Sequence, residues 1–156
     1  MSQKKLSLWL KLIIVGCALC GVVLFGFILP GWLQAKAAQS ENPVHGLTIF
    51  MWIAAVPCYA VLACGWRIAN AIGKDRSFCA ENARMLKVIA MLAAGDAAYV
   101  LLGNVVFLLL RWNLPALALI SAFVCFVGLA ISVGAACLSH LVLKAAKLQE
   151  ENDLTI

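Results

Sequence analysis

Asp96 is the residue whose type and surroundings point most directly to chemistry. It is the one charged residue in the apolar run 88–110, where an ionised carboxylate would be costly. Such an acid is usually protonated, paired or turned toward a polar cavity. It therefore has two interpretations: a structural carboxyl group that hydrogen-bonds to Tyr59 or to a backbone carbonyl, or a proton or cation site. Asn104 lies about two turns further along the same predicted helix.

The other residues of catalytic type do not converge on one place. His45 and His140 fall near opposite ends of predicted helices, so they share no metal site. Cys17 and Cys20 form a C-x-x-C pair, but no second pair or histidine accompanies them, and cysteine also packs as a small apolar residue. The sequence has no phosphate-binding loop, dinucleotide fingerprint or zinc motif. We therefore expect no catalytic residue, no metal and no cofactor.

Long apolar stretches must position these residues. The chain of 156 residues is 65% hydrophobic and 12% charged, far from the composition of soluble proteins. Four stretches reach the roughly 20 apolar residues that a helix needs to cross a bilayer. We predict an all-α integral membrane four-helix bundle that forms a single domain over residues 1–156, with connections too short for a soluble catalytic domain. The predicted spans are 8–32, 44–69, 84–110 and 113–143.

The basic residues predict the orientation. With both termini inside the cell, ten Lys and Arg residues lie on the cytoplasmic side, and two, Lys36 and Arg111, lie outside. We expect a multi-pass protein of the inner membrane whose third and fourth helices extend into the cytosol, followed by a tail at 144–156. The net charge of +5 then reflects contact with the lipid bilayer rather than direct binding of nucleic acid.

The N-terminal region has one rival interpretation. Lys4 and Lys5, the apolar run after them and the segment 35–37 imitate a signal peptide with its cleavage site. The run is longer than a typical signal-peptide core, however, and Pro30, Gly31 and Trp32 look like an interfacial stop. We expect the first helix to be retained.

Local signals predict where helices begin and end. Gly73 should stop the second helix, Ser77 should cap the third, and Pro115 suits the first turn of the fourth. The spacing of Gly128 and Ser132 allows close helix contact, either within the bundle or in a homo-oligomer.

Two motifs resemble a bacterial family. Residues 76–86, R-S-F-C-A-E-N-A-R-M-L, are similar to a P-F-x-x-E-N-x-R-x-L signature, and residues 148–156, L-Q-E-E-N-D-L-T-I, are similar to an L-x-E-E-N-D-L-T-V terminus. Both resemble the DUF2975 family of small four-helix membrane proteins of unknown function, with departures at Ser77 and Ile156. Its members are often encoded beside a small helix-turn-helix regulator, so the resemblance implies such a regulator as a cytoplasmic partner.

Three functions are compatible with this sequence. The preferred one is a non-enzymatic protein that binds or sequesters a cytoplasmic partner through the 74–87 loop and the tail, whose opposite charges should attract each other weakly. The alternatives are a small transporter or channel subunit that uses Asp96, and an assembly factor for a membrane complex. The intramembrane polar set is Asp96, Tyr59 and Asn104. The predicted partner-binding residues are Arg76, Phe78, Glu81, Asn82, Arg84, Glu150, Glu151, Asn152, Asp153, Leu154, Thr155 and Ile156.

Overall fold

The structure, a computed structural model, describes residues 3–37, 44–74, 77–110 and 115–153. These ranges form helices joined by short connections, with no strand among them, so the predicted all-α class is confirmed. The elements are α1 (Gln3–Val23), a π-helical turn (Leu24–Ile28), α2 (Leu29–Ala37), α3 (Val44–Gly73), α4 (Ala80–Leu109) and α5 (Pro115–Asp153).

Four helical stretches are long and apolar enough to cross a membrane. The first consists of α1, the π-helical turn and α2 in continuous succession, and we call it the first span; α3, α4 and α5 are the others. Large apolar side chains cover the outer faces of all four, as expected where lipid replaces water. The candidate spans are Gln3–Ala35, His45–Gly73, Ala80–Leu109 and Ala118–Asn152, which overlap the four predicted from the sequence.

The helices pack in chain order. The first span contacts α3, α3 contacts α4, and α4 contacts α5. Among the described residues, no Cα of the first span lies within 8 Å of a Cα in α5. Because neighbouring helices are antiparallel, the start of α1, the end of α3, the start of α4 and the end of α5 meet at one end of the molecule. We call it the basic end, after Lys4, Lys5, Lys11, Arg67, Lys74, Arg84, Lys87, Lys144 and Lys147.

A repeated hydrogen bond joins α4 to α5. Three short side chains on α5 donate to alanine carbonyl oxygens on α4: Ser139 to Ala83 at 2.7 Å, Ser132 to Ala90 at 2.8 Å, and Cys125 to Ala97 at 3.4 Å. Donors and acceptors both recur every seven residues, so each series forms one stripe along its helix. We call this contact the heptad ladder. It satisfies polar side chains inside the membrane and fixes the register of the two helices.

Small residues let the two backbones come close enough for the heptad ladder. A Cβ added at Gly128 would lie 3.4 Å from the Ala97 Cβ and 3.6 Å from the Ala93 carbonyl oxygen. Gly128 and Ser132, which the sequence marked for close packing, therefore both contact α4 within the chain.

Side chains of α3 make the other two helix contacts. The Tyr59 hydroxyl group donates to the Ala18 carbonyl oxygen at 3.3 Å on the first span, where Gly21 leaves room for the phenol. Toward α4, the Phe50 ring stacks on Tyr99 at 4.7 Å between centroids. Phe50 also covers Gly103 so closely that a Cβ at position 103 would collide with the ring. Thus α3 holds the first span and α4 on different faces.

Two sequence predictions about helix ends are wrong. The sequence predicts that the first span ends at residue 32, with Pro30, Gly31 and Trp32 as its interfacial stop, but the helix continues to Ala37. A proline ring clashes with the carbonyl four residues earlier in an ordinary α-helix. Here the wider π-helical turn comes just before it, and the Leu29 N–H donates to Leu24 O five residues back.

The second wrong prediction concerns the start of α4. The N-cap residue is Cys79, with no side-chain cap hydrogen bond, instead of Ser77. Ser77 lies too far ahead of the first turn to cap it, and its hydroxyl group donates to the Gln3 side-chain oxygen at 3.2 Å. The predictions for Gly73 and Pro115 are confirmed, since α3 ends at Gly73 and α5 begins at Pro115.

The heptad ladder predicts that Ser132→Leu destabilises the fold. We expect the free energy of unfolding in detergent micelles to fall by roughly 2 kcal/mol, because overpacking costs about 1–3 kcal/mol and a lost interhelical hydrogen bond about 0.6 kcal/mol. Val133→Leu is the matched control, because Val133 is exposed on the adjacent position of α5. Equal stability of the two variants would contradict the ladder.

Candidate functional sites

Asp96 lies on α4 with incomplete hydrogen bonding. Its Oδ2 is 3.7 Å from the Cys58 Sγ on α3, which makes the thiol a weak donor to the carboxyl group. Its Oδ1 is buried and has no hydrogen-bond partner among the described residues. The expectation that Tyr59 would be the partner is wrong, because position 59 points about 100° away from position 58 on the helix and reaches Ala18 instead.

A cavity of about 380 Å³ borders Asp96. All four membrane helices contribute to its wall, and the lining is apolar apart from a few groups, Asp96, Asn104 and Ser121 among them. The Asn104 side-chain amide donates to the Val100 carbonyl oxygen at 2.8 Å, within its own helix. The other lining residues are Leu24, Phe25, Ile28, Leu29, Trp32, Phe50, Met51, Ala54, Cys58, Val100, Phe107, Ile120 and Val124. We call this space the Asp96 cavity.

The packing order of the helices places the Asp96 cavity between two helices that do not pack closely on each other. The first span and α5 both line the cavity, and among the described residues no Cα of one lies within 8 Å of a Cα of the other. Away from the basic end, the lining residues Trp32 and Phe107 pack against a cluster built on Leu33 and Leu47.

A π-helical turn lies in the wall of this cavity, and a proline lies inside the helix next to it. The π-helical turn at Leu24–Ile28 faces it from the first span, and such turns occur frequently at functional sites. On α3, Pro57 lies inside the helix directly before Cys58, and proline frees a carbonyl one turn earlier. A π-helical turn and a proline inside a helix therefore lie on two of the helices that approach Asp96.

The second candidate site is the surface of the basic end around the start of α4. Phe78 is 58% exposed there, although it lies outside the apolar spans. Asn82 is only 3% exposed, and its side-chain amide donates to the Ser77 carbonyl oxygen at 3.0 Å. Asn82 thus shapes the segment that presents Phe78. Arg84 is exposed one position beyond the buried Ala83.

A polar cleft of about 390 Å³ adjoins Phe78 between the end of α3 and the start of α4. Glu81 and Arg67 face each other across it at 3.9 Å, with both side chains largely exposed. A pair so exposed contributes little stability, so both groups stay accessible to other charges. The remaining lining residues are Asn70, Ala71, Lys74, Cys79, Asn82 and Met85.

The end of α5 extends well beyond this surface. The ladder bond between Ser139 and Ala83 places Ala80, the first residue of α4, opposite Val142. Residues 143–153 therefore continue about 16 Å past the start of α4 as helix. Leu148 is 53% exposed on this extension, and Glu150, Glu151 and Asn152 are exposed as well. The prediction that the fourth helix continues past Leu143 is confirmed.

The structure separates the three predicted intramembrane polar residues. Asp96 and Asn104 line one cavity, while Tyr59 faces the first span. Arg76, Leu154, Thr155, Ile156 and the side chain of Asp153 lie outside the described residues, so their partner-binding role stays a prediction. Sequence reasoning missed Cys58 as the contact of Asp96, although Cys58 directly precedes Tyr59 and lies at nearly the same depth in α3.

Residues 8–156 match DUF2975, described as a protein of unknown function. This chain belongs to the DUF2975 family. It is also 26% identical over 155 residues to the uncharacterized membrane protein YoaS of Bacillus subtilis strain 168, with 96% of this chain and 97% of the relative covered. No solved structure matches the chain. Together with the four apolar helices, this membership identifies a multi-pass membrane protein and confirms the family that the two motifs suggested.

The incomplete bonding of Asp96 predicts that this residue contributes no stability. Asp96→Leu should leave the free energy of unfolding in micelles unchanged or raise it, because an acid at mid-membrane depth is unfavourable and the adjoining cavity has room for the larger side chain. Ala97→Leu, on the packed face of α4, should lower it by about 1–3 kcal/mol. A loss for Asp96→Leu as large as that for Ala97→Leu would show that Asp96 is structural.

Proposed function

We propose that this DUF2975 protein is a non-enzymatic protein of the bacterial inner membrane that binds a soluble cytoplasmic partner at its basic end. The observation that carries the proposal is the helical extension of α5. It stands about 16 Å beyond the start of α4 and bears an exposed leucine among acidic residues. An amphipathic helix projecting from a membrane can dock in the groove of a soluble protein.

The surface beside the extension supports the same proposal. Phe78 offers an exposed aromatic side chain, and aromatic residues often dominate binding energy at interfaces. Next to it, the cleft with Arg67, Lys74 and Glu81 supplies charges that are weakly engaged within the chain. One partner could contact Phe78, the cleft and the extension together. The family resemblance makes a small helix-turn-helix regulator the partner that we expect.

The lining of the Asp96 cavity favours partner binding over the transporter alternative. A transport path for ions would place polar groups from several helices at the depth of Asp96. The lining is instead mostly apolar, and the side chain that reaches the carboxyl group is the thiol of Cys58. An assembly factor would use the same basic end, so the identity of the captured protein distinguishes it from a regulator-binding protein.

The proposal requires the basic end to lie in the cytoplasm. Cys79, as the one cysteine in an otherwise cysteine-free variant, should resist a membrane-impermeant thiol reagent in intact cells and react after the membrane is opened. His45→Cys in the same background is the control, because His45 is exposed at the opposite end and should react in intact cells. The reverse labelling pattern would invert the topology and remove the proposed cytoplasmic surface.

Partner capture tests the surface directly. We expect affinity purification from native membranes to recover one soluble protein with the full chain, and to lose it with Phe78→Ala and with residues 149–156 deleted. Phe123→Ala is the matched control, since Phe123 is an exposed phenylalanine on the span of α5. Membrane insertion should be unchanged in all variants. Recovery of the same protein by Phe78→Ala and by the truncated chain would refute the proposal.

A further inference from the structure

We propose that the Asp96 cavity is a binding site for a lipid-soluble amine, a molecule with an apolar body and one basic nitrogen that pairs with the Asp96 carboxyl group. The site is separate from the surface at the basic end. It lies between the first span and α5, two candidate membrane spans with no Cα pair within 8 Å among the described residues, so its ligand would enter from lipid.

The size and lining of the cavity set the shape of the ligand. Its volume of about 380 Å³ falls within the roughly 300–1,000 Å³ of small-molecule sites. Such sites combine an apolar wall with a few polar groups that fix orientation. Here the wall includes the aromatic side chains of Phe25, Trp32, Phe50 and Phe107, and Asp96 supplies the acidic group.

The bonding of Asp96 sets the chemistry of the ligand. One carboxyl oxygen has no partner among the described residues, and the other has only a thiol at 3.7 Å. Rotation about the last side-chain torsion exchanges the two oxygens, so either can face the ligand. A neutral amine that meets a protonated Asp96 takes its proton, and the products are an ammonium ion and a carboxylate. These two charges then compensate each other in the apolar site.

The aromatic wall distinguishes an amine from an alcohol of the same shape. An ammonium group near aromatic faces gains cation–π attraction in addition to its pairing with the carboxylate. A hydroxyl group can form a hydrogen bond with Asp96, but because it carries no charge it gains neither the cation–π attraction nor the charge pairing. The π-helical turn lies in the same wall, and such turns occur frequently at functional sites.

Photo-crosslinking tests this site with two matched probes. A decyl amine and a decyl alcohol, each carrying the same diazirine in its chain, are applied to the full-length protein in nanodiscs of phosphatidylcholine. We expect the amine to label residues of the cavity, within 24–32, 96–107 or 120–124, in a saturable manner. Asp96→Asn, which keeps the shape of the side chain, should reduce labelling by the amine at least about tenfold, because a buried charge loses its partner. Labelling by the alcohol should not change.

Two further variants make the result decisive. Glu81→Gln removes an acid outside the cavity, so the amine should label this variant to the same extent as the unaltered protein. Ile120→Trp adds bulk to the α5 wall, keeps Asp96, and should lose labelling by the amine even if Asp96→Asn folds poorly. Equal labelling by amine and alcohol, or amine labelling that survives both Asp96→Asn and Ile120→Trp, would overturn the proposal. Because Phe78→Ala and the 149–156 deletion leave the cavity intact, they should bind the amine normally, which separates this inference from partner binding.

Discussion

The heptad ladder between α4 and α5 is the contact on which the rest of the structure depends. Lipid offers no hydrophobic force to hold two apolar helices together, so association requires close packing and hydrogen bonds between helices. Ser139, Ser132 and Cys125 provide both, because each is small enough to bring the backbones together and each donates to an alanine carbonyl. The ladder also sets the register that carries the end of α5 beyond the start of α4.

The packing of α4 against α5 explains where the Asp96 cavity forms. One face of α4 is used by the ladder and another by the aromatic contact of Phe50 with Tyr99. Among the described helices, α3 is the one whose Cα atoms come within 8 Å of the first span. Ser7 of the first span donates to the Ala69 carbonyl oxygen, and Tyr59 of α3 donates to the Ala18 carbonyl oxygen. A cavity consequently remains between the first span and α5, and Asp96 borders it with one carboxyl oxygen that has no hydrogen-bond partner among the described residues. Proteins commonly keep such destabilising groups where function requires them.

Most of the fold could be predicted from the sequence, and the cavity could not. Apolar length fixes the four spans, and Gly73 and Pro115 mark helix ends through local backbone effects that act without tertiary contacts. Which side chain contacts Asp96 depends instead on the rotation of α3 about its own axis relative to α4. A rotation by one residue position, about 100°, decides whether Cys58 or Tyr59 faces Asp96. The effect of Pro30 likewise depends on the π-helical turn before it, which apolar composition does not reveal.

Disulfide crosslinking tests most directly whether the first span and α5 stay apart on the two sides of the Asp96 cavity. A disulfide requires Cα atoms about 4.4–6.8 Å apart. In a cysteine-free variant in nanodiscs, a pair at Ala90 and Ser132, across the ladder, should crosslink rapidly under mild oxidation. A pair at Ile28 and Ile120, on opposite walls of the Asp96 cavity, should not, because no Cα of these helices lies within 8 Å of the other. Efficient crosslinking between Ile28 and Ile120 would show that the two helices close on each other and that the cavity does not exist.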